Sequence, residues 1–598
     1  MCGIAGIIGG NNNSIQTLTK MMHSIKHRGP DDSGVYSSEI SRVYFGSQRL
    51  SINDLSPKGK MPMFNEDKSV AVCQNGEIYN YHELKKVLLP HGHKFISESD
   101  TEVIVHGYEQ WGTKIFEKLE GMFAISIFDI KNNTIFLCRD KIGIKPLYYL
   151  ELNGSIYFSS EAKSFSSLED FSFGGNIDYE NVNLMLGFMF LPKSDETIIN
   201  KVKKLLPSHY MKVDLKNSSI SKISFQKYWD LKNSRKKFAN NEITFDEGVE
   251  KLDDLLQKTV SSHLMSDVPL GVMLSGGLDS SLITALTKKL SKSETLTFTA
   301  KFAHKFNESE NAKNIANYIG TKHTEILIDT KDVSKNIEKY IRDYDDLTTF
   351  DGGLITTKIL CEEIKKLGVT VLLLGEGADE IFGGYSWFGV SQLPYSFLPD
   401  ILKSAIYYYA ISRNLTFNPQ KYYSYWNQMF KSMHNSDTFR KISNMELITQ
   451  LPNHLLMKVD KATMAASVEA RVPFLDHKVV EFAYNLPREY KLKGNIYNFN
   501  SSNEKYILRK VAERYLPQEA VWRKKRGFML PMGQIIDSDI SKVKDYIFSK
   551  GSISSNLLSK KQIENLFKET SIGVMKMQNE YLIWRLFLLE VWKSEYAK

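Results

Sequence analysis

The stretch VPLGVMLSGGLDSS, residues 268–281, decides the fold of the second half of this 598-residue chain. Residues 268–274 form a short apolar run, which is typical of a parallel strand buried on both faces. Beyond the glycines, apolar residues recur at helical spacing at Leu282, Ile283, Leu286 and Leu290. The pattern therefore predicts a loop that leads from the end of a buried strand into the N-terminus of a helix.

The loop has the composition of an anion site. Gly276 and Gly277 let backbone N–H groups approach a phosphate, and the helix dipole behind them favours negative charge. Ser275 and Ser280 add hydroxyl donors. No Gly-Lys-Ser/Thr ending follows, so the loop is not a Walker A motif. Residues 275–281 together resemble the pyrophosphate loop of the ATP pyrophosphatases, although a bare Ser-Gly-Gly is also common as a helix-capping turn.

Two blocks downstream carry further candidate chemistry. Residues 371–374 are a second buried-strand run, followed by Gly375 and Glu376. Carboxylates that follow a strand lie where open α/β sheets bind ligands. Glu380 stands where a dinucleotide fingerprint needs its last glycine, so we discount dinucleotide binding. In the block 458–464, Lys461 is a candidate partner for developing phosphate charge.

The order in which strand patterns and helix patterns follow one another differs between parts of the chain. From about residue 246, strand patterns alternate with helical ones, which predicts a doubly wound parallel sheet. After residue 390 the pattern becomes a helical extension that ends in a buried helix near 581–592. Between residues 121 and 160, short strands are joined by turns such as Asn153-Gly154, which predicts antiparallel sheet.

The chain opens Met1-Cys2-Gly3-Ile4, so removal of Met1 would leave a thiol and a free amine on the same residue. An α-amino group has a pKa of roughly 7.7 to 8.0 and can take the proton of the thiol, directly or through water. Cys2 is therefore a candidate N-terminal nucleophile that carries its own base. The alternative is an ordinary buried cysteine without chemistry.

Polar residues in the first hundred positions suit the needs of such a nucleophile, and we expect each at a strand end or turn. Asn75 offers a side-chain amide and Gly76 a close backbone N–H, as a tetrahedral oxyanion requires. Arg49 suits a carboxylate and Asp100 an ammonium group. Singly, each has a simpler explanation as a turn residue or a solvated charge.

Together with Cys2 and the segments 27–31, 121–124, 139–143 and 145–148, these residues resemble the class II glutamine amidotransferase domain. The resemblance covers about the first 200 residues and implies an Ntn-hydrolase-like sandwich of antiparallel sheets flanked by helices. It further implies that Cys2 attacks the glutamine amide and that ammonia is released. The implied oxyanion donors are Asn75 and Gly76, and the implied glutamine-binding residues are Arg49, Leu50, Ile52, Asn75, Gly76, Glu77 and Asp100.

The later blocks, in this order behind such a domain, resemble the glutamine-hydrolysing asparagine synthetase family over nearly the whole chain. The implied reaction joins aspartate and ATP into β-aspartyl-AMP and pyrophosphate, after which ammonia displaces AMP. Glu376 is implied as the base or organiser of amide formation, and Lys461 as the group that stabilises phosphate charge. Mg²⁺ is implied beside Asp279 and Asp379. The implied ATP-binding residues are Leu274, Ser275, Gly276, Gly277, Asp279, Ser280, Ala300, Leu374 and Gly375.

Two departures leave the carboxylate acceptor open. Relatives commonly carry serine where Leu374 stands, so a side-chain contact from that position is lost. Asp351 falls where the closest characterised type carries an arginine near the acceptor carboxylate, and an aspartate there would repel free aspartate. We expect aspartate as the acceptor. The alternatives are a related amidotransferase that amidates another carboxylate, such as a uronic acid of a surface polysaccharide, and an inactive regulatory or binding homologue.

Composition is consistent with a globular enzyme, with 42% hydrophobic residues and a net charge of +8. No apolar run reaches the roughly 20 residues that cross a bilayer, and the N-terminal residues lack a basic region followed by a signal-peptide core, so we expect a cytoplasmic protein without membrane partners. Four scattered cysteines exclude a disulfide framework. Small molecules rather than nucleic acid are the expected partners, and a homodimer stays open. The expected units are 1–210 for the glutaminase, 211–245 for a linker and 246–598 for the synthetase.

Overall fold

A computed structural model describes residues 2–10, 13–238, 243–302, 308–347, 353–392, 395–412, 419–433, 437–494, 503–524, 531–568 and 574–597. In these residues the strands are β1 (Cys2–Ile8), β2 (Asp32–Ser38), β3 (Val43–Arg49), β4 (Met63–Phe64), β5 (Val70–Ile78), β6 (Gly121–Asp129), β7 (Thr134–Arg139), β8 (Tyr148–Leu152), β9 (Ser155–Ser159), β10 (Val202–Lys204), β11 (His209–Lys216), β12 (Ser219–Lys227), β13 (Leu270–Met273), β14 (Leu296–Phe302), β15 (Lys322–Ile328), β16 (Val371–Leu373) and β17 (Glu469–Arg471).

The helices of the same residues are α1 (Ser14–Ser24), α2 (Tyr81–Leu88), α3 (Glu102–Trp111), α4 (Ile115–Lys118), α5 (Tyr179–Phe188), α6 (Leu231–Phe238), α7 (Phe245–His263), α8 (Leu278–Leu290), α9 (Ser309–Ile319), α10 (Thr330–Lys335), α11 (Ile337–Ile341), α12 (Gly353–Lys366), α13 (Ala378–Phe382), α14 (Asp400–Ile411), α15 (Pro419–Ser432), α16 (Thr438–Ile448), α17 (Leu456–Met464), α18 (His477–Asn485), α19 (Arg488–Lys491), α20 (Tyr506–Ala512), α21 (Gln518–Val521), α22 (Met532–Ser538), α23 (Ile540–Ile547), α24 (Ile553–Leu557), α25 (Lys560–Leu566) and α26 (Val574–Tyr596). Short 3₁₀ turns connect several of them.

The N-terminal unit is the expected sandwich of two antiparallel sheets. One sheet has the order β10-β8-β9-β1-β3-β2 and the other β12-β11-β7-β6-β5-β4. Side chains of both sheets, such as Phe45, Phe158 and Met211, share the core between them. The helix α1 packs on β1 and β3, and α3 packs on β5. Because both faces of β1 are thus covered, every residue of that strand is buried.

The turn between β8 and β9 shows how local sequence sets this topology. Asn153 and Gly154 are its only two residues, and both have positive φ, 52° and 75°. Two residues of this kind form the tight hairpin turn whose twist matches that of the flanking strands. The hairpin predicted from Asn153-Gly154 is confirmed, with Leu152 opposite Ser155.

The C-terminal unit is built on a parallel sheet with the order β15-β14-β13-β16-β17. The helices α7, α8 and α9 pack in sequence beside it, and α12 packs on α17. Strand order reverses between β13 and β16, and open α/β sheets bind ligands at such a switch point, beyond the carboxyl ends of the strands. The segments predicted to bind phosphate follow these two strands, so the fold brings them together.

The helical extension packs around the last helix. Leu582, Trp584, Phe587 and Trp592 of α26 are all buried, as expected from the apolar pattern. The helix contacts α11, α22, α23 and α24. In the part of the chain that the structure describes, no helix combines the length and the apolar character that a membrane crossing needs.

The range 211–245, which the sequence analysis treats as a linker, begins inside the second sheet. Strand β11 pairs with β7 and with β12, and β12 continues to Lys227. We therefore propose that the N-terminal unit extends to Lys227 and that the connection runs from there to the start of α7 at Phe245. The polar, lysine-rich composition of this range reflects the exposed edge strand β12 rather than a linker.

Candidate active sites

Strand pairing brings Cys2 to the first of two candidate sites. Cys2 lies opposite Arg49 in the β1–β3 ladder, and its nitrogen donates to Oδ1 of Asn75 in the other sheet at 3.4 Å. The side chain is 6% exposed. Burial raises the pKa of the Cys2 thiol, while the terminal charge, the backbone N–H of Leu50 and the charge of Arg49 act in the opposite direction. The thiol is therefore a weak nucleophile until a base removes its proton.

Asn75, Gly76 and Glu77, which we expect at a strand end or turn, lie within the last four residues of β5. Strand β5 continues through Ile78, because all three residues pair with β6. Gly76 has φ +151°, and a Cβ there would lie 1.9 Å from the carbonyl oxygen of Met122. Glycine is therefore required for the close approach of the two strands. Asn75 sits between Cys2 and Ser160, since its Nδ2 donates to Ser160 Oγ at 3.4 Å.

Two buried carboxylates lie beside this end of β5. Asp100 accepts hydrogen bonds from Ile78 N at 2.8 Å and from Gln74 Nε2 at 3.1 Å. Burial raises the pKa of Asp100. Burial, followed by the charges of Asp100 and Glu469, raises the pKa of Glu77 well above its usual value. Both carboxylates would gain from a bound cation, so the pair suits the ammonium group of an amino acid.

The other predicted glutamine-binding residues are Arg49, at the end of β3, and Leu50 and Ile52, in the loop that follows it. The Arg49 guanidinium donates to the carbonyl oxygens of Asn53, Asp54 and Ser56, and so holds the loop that follows β3. Leu50 and Ile52 are buried in a small apolar cluster with Val371 and Met464 of the C-terminal unit. The structure therefore places these two side chains at the interface of the units.

The second candidate site is a cavity of about 220 Å³ at the switch point of the parallel sheet. Of the nine predicted ATP-binding residues, Gly276 does not line it. The other eight do, and they are Leu274, Ser275, Gly277, Asp279, Ser280, Ala300, Leu374 and Gly375. Glu376, Asp379 and Lys458 complete the polar part of the lining, while Phe298 and Leu360 belong to its apolar part.

Hydrogen bonds hold the loop between β13 and α8 in shape. Ser275 N donates to Ser280 Oγ at 3.2 Å, and the two hydroxyls lie 3.0 Å apart. Gly276 has φ +77°, and a Cβ there would lie 2.9 Å from the nitrogen of Ala312. Gly276 therefore shapes the loop from outside the cavity. A Cβ on Gly375 would lie 2.6 Å from Ser280 N, so glycine also allows the two ligand-facing segments to touch.

Asp279 and Asp379 converge on one point. Asp279 Oδ2 and Asp379 Oδ1 each lie 2.7 Å from Nζ of Lys505. Burial lowers the pKa of Lys505, but the two carboxylates outweigh burial and raise it above its usual value. Mg²⁺ is bound in proteins through one or two carboxylates together with substrate phosphates. Each of the two carboxylates beside the anion loop is therefore a suitable Mg²⁺ ligand, while the point between them is held by the Lys505 ammonium.

Lys461 does not reach the cavity, which corrects its predicted place. The side chain is buried, its Nζ donates to Asp345 Oδ1, and it lies 5.1 Å from the ring centre of Tyr148. Lys458, one helical turn earlier, lines the cavity instead, with its Nζ 3.9 Å from Oε1 of Glu376. Side chains one turn apart on a helix point in similar directions. The two lysines differ in the partners that neighbouring segments offer, which are Asp345 for Lys461 and Glu376 for Lys458.

Asp351, the second divergent position, falls in the range 348–352, which lies outside the described residues. Leu374 is buried, and its backbone N–H donates to the carbonyl oxygen of Arg471 at 2.9 Å. The backbone of Leu374 therefore serves the sheet, and its side chain contributes apolar surface to the cavity.

Two cations at these sites escaped the sequence analysis. Arg471 reaches across from the C-terminal unit and lies 3.8 Å from Oε1 of Glu77, while its Nε donates to Glu469 at 2.5 Å. Lys505 follows soon after a stretch outside the described residues and is the N-cap of α20. Neither residue stands in a motif that indicates its partner, since each partner is distant in the sequence.

Comparisons with known proteins agree with this two-part arrangement. Residues 251–594 match the family model described as asparagine synthase, and residues 1–229 match the glutamine amidotransferase domain. Glutamine-hydrolyzing asparagine synthetase 1 of Bacillus subtilis (strain 168) is 30% identical, over 99% of this chain and 96% of that protein. Enzyme 3 of the same organism is also 30% identical, over 100% and 99%. A glutamine-hydrolyzing asparagine synthetase of Triphysaria versicolor is 32% identical, over 88% and 77%.

Proposed function

Because the chain belongs to the asparagine synthase family, we propose that it is a glutamine-hydrolysing asparagine synthetase that makes asparagine from aspartate, ATP and glutamine. The observation that carries the proposal is the presence of both candidate sites in one chain, each with the residue types that its half-reaction needs. We infer a cytoplasmic reaction, since that compartment holds ATP and glutamine together.

In the first half-reaction, Cys2 is the nucleophile that attacks the side-chain amide of glutamine. Once Met1 is removed, its own amine takes the thiol proton, and this offsets the raised pKa that burial imposes. Asn75 and the N–H of Gly76 would stabilise the oxyanion. Glu77 and Asp100 would bind the ammonium group of the substrate, and Arg49 its carboxylate. The tetrahedral intermediate expels ammonia, which receives the proton held by the terminal amine, and leaves a thioester that water hydrolyses to glutamate and the free thiol.

In the second half-reaction, the cavity at the switch point would hold ATP beside the acceptor. Gly277 and Ser280, at the N-terminus of α8, would donate to the departing pyrophosphate. Lys505 would balance phosphate charge in the place that the sequence analysis gave to Lys461. Glu376 lies 3.9 Å from Nζ of Lys458. We assign Glu376 to the place where ammonia would attack the activated carboxylate, and it would accept the proton that the attacking nitrogen loses.

Asp279 and Asp379 are the residues that would hold Mg²⁺, which supplies neutralisation of phosphate charge when it is bound. Both residues line the cavity beside the anion loop, and this supports the assignment. Glycine at position 384 lets the backbone pass close to the Asp379 carboxylate, since a Cβ at that position would lie 2.0 Å from Asp379 Oδ1.

The shared interface supports transfer of ammonia inside the molecule. Leu50 and Ile52, beside the nucleophile, are buried against Val371 at the start of β16, and the far end of that strand leads into the ATP cavity. Arg471 joins the same two regions through Glu77. An apolar interface between the sites would exclude water, which would otherwise protonate the ammonia.

The test separates the two half-reactions. Cys2→Ala is expected to abolish glutamine-dependent asparagine formation, while added ammonium still supports it, because only the first half-reaction uses the thiol. Asp279→Ala is expected to abolish asparagine formation with either nitrogen source and to leave glutamine hydrolysis intact. Loss of both activities in a folded Cys2→Ala protein would contradict the assignment of two sites.

The acceptor is tested with the unmodified enzyme. We expect aspartate, and not a uronic acid, to trigger stoichiometric release of AMP and pyrophosphate in the presence of ATP and Mg²⁺. A protein with active glutaminase that ignores aspartate at millimolar concentration, and responds to the sugar acid, would instead be the alternative amidotransferase.

A further inference from the structure

A cluster of four side chains lies on the N-terminal unit, away from both candidate active sites. Glu66 comes from the turn between β4 and β5, His93 from the loop before α3, and His106 and Glu109 from α3 itself. One nitrogen or carboxylate oxygen of each lies within 4.8 Å of those of the other three. None of these residues takes part in the proposed reaction.

The two histidines present the same ring nitrogen to the cluster. His93 Nδ1 lies 3.5 Å from Glu109 and 3.8 Å from Glu66, while its Nε2 lies 3.4 Å from Oε1 of Gln110. His106 Nδ1 lies 3.5 Å from Glu66, while its Nε2 lies 3.5 Å from Glu102. An acceptor behind each Nε2 favours a proton there, and this leaves Nδ1 as a lone pair that points into the cluster.

His106 is the observation that calls for a ligand. Its side chain is 1% exposed, and its Nδ1 makes no hydrogen bond to any described residue. The ring is held edge-on against Phe95, with 4.6 Å between the ring centres. Buried polar groups without a hydrogen bond are rare and costly in native proteins. A bound ion at the cluster would satisfy Nδ1 of this residue.

We propose that Glu66, His93, His106 and Glu109 bind a divalent transition metal ion, for which Zn²⁺ is the best match. Two imidazole nitrogens and two carboxylate oxygens are ligands that Zn²⁺ accepts in tetrahedral geometry. Bonds of roughly 2.0 to 2.2 Å in a tetrahedron separate the ligand atoms by about 3.3 to 3.6 Å. Histidine-to-carboxylate separations of 3.5 to 3.8 Å, measured to both oxygens of Glu66, are close to this range, and one ligand atom from each of the four residues lies within 4.8 Å of the others.

Charge and access also suit such an ion. Two carboxylates balance the charge of one divalent cation. The side chains of Glu66 and Glu109 are 36% and 37% exposed, so the ion can enter from solvent on the carboxylate side. The histidines close the inner side, since His93 and His106 are both buried.

The metal would add a cross-link between three segments of the N-terminal unit. These are the β4–β5 turn, the loop 91–101 and the helix α3. Asp100, which we propose to bind the ammonium group of glutamine, lies at the end of that loop. The site is therefore structural, and it would stabilise the part of the unit that presents Asp100.

In the test, a chelator first removes metal from the full-length protein. The protein is then titrated with Zn²⁺ in a calorimeter. The Cys2→Ala protein serves as the parent, because a terminal thiol and amine would themselves chelate zinc. We expect one Zn²⁺ per chain, and a higher midpoint of thermal unfolding when it is bound. Mg²⁺ and Ca²⁺, which prefer all-oxygen sites, are not expected to compete.

Isosteric variants make the result specific. Glu66→Gln and Glu109→Gln, which alter exposed ligands, are each expected to weaken Zn²⁺ binding at least tenfold and to remove the thermal stabilisation. His91→Ala is the matched control, since His91 is exposed in the same loop. The proposal is overturned if the parent shows no saturable Zn²⁺ binding, or if His93→Ala and Glu109→Gln bind Zn²⁺ as tightly as His91→Ala does.

Discussion

At the scale of the single residue, burial sets the chemistry of several carboxyl groups. Glu446 in α16 is fully buried, and its Oε1 accepts hydrogen bonds from Tyr407 Oη at 2.6 Å and Trp387 Nε1 at 2.9 Å. Burial raises its pKa from 4.5 to about 7, although the two hydrogen bonds act in the opposite direction. The folded state therefore prefers this group protonated.

Glu446→Gln is expected to change how stability depends on pH. A carboxyl group whose pKa is raised in the folded state contributes stability below its unfolded pKa and loses it as pH rises through the folded pKa. From pH 5 to pH 8, the variant should therefore gain on the order of 2 to 3 kcal/mol relative to the wild type. Urea unfolding of both proteins at the two pH values measures the difference, and parallel pH profiles would contradict the expectation.

At the scale of the element, the end of β16 and the first turn of α8 depend on each other. They touch at Gly375, where an added Cβ would lie 2.6 Å from Ser280 N and 2.9 Å from the carbonyl carbon of Asp279. Backbone atoms cannot move aside cheaply, so any side chain at this position must push the helix start away from the strand. The anion loop and the carboxylate segment therefore behave as one unit.

Gly375→Ala is accordingly expected to reduce aspartate-dependent pyrophosphate release by about ten- to a hundredfold, because it displaces the groups around the phosphates. Glutamine hydrolysis is expected to stay unchanged, since Cys2 lies in the other unit. Gly175→Ala is the matched control, because a Cβ at Gly175 meets nothing within 4 Å. Equal pyrophosphate release in the two variants would contradict the proposed contact.

At the scale of the whole molecule, buried charges fasten the two units to each other. Asp460 of α17 accepts from Arg28 Nη2 at 3.1 Å and lies 3.4 Å from Nζ of Lys145, and all three side chains are buried. Arg28 also donates to Glu161 at 2.8 Å. Such a network is satisfied only when the two units are docked.

Asp460→Ala is expected to destabilise the protein by about 3 to 5 kcal/mol, because it leaves Lys145 and one side of Arg28 buried without their anion. Asp254→Ala, which breaks an exposed ion pair with Lys258, is expected to cost at most about 1 kcal/mol. Urea unfolding compares the two variants. If Asp460→Ala costs no more than Asp254→Ala, the buried network does not hold the units together.

Local sequence alone determined the elements around both sites. The glycines and apolar spacing near residue 276 specify a strand, a loop and a helix because φ preferences and side-chain periodicity act over a few residues. For the same reason, Asn153-Gly154 predicts its hairpin. Eight of the nine predicted ATP-binding residues line one cavity because seven of them follow β13 or β16 and Ala300 lies in the neighbouring strand β14.

Only the tertiary structure decided which distant charges meet. Lys505 and Asp279 are 226 positions apart, and no periodicity links them. Arg471 reaches Glu77 from the other unit, and Lys461 turns to Asp345 instead of the cavity because that buried carboxylate lies beside it. The residues next to a lysine in the sequence do not indicate which carboxylate it will pair with. Strand order and the docking of the two units bring such groups together, and both depend on packing across the whole chain rather than on any one segment.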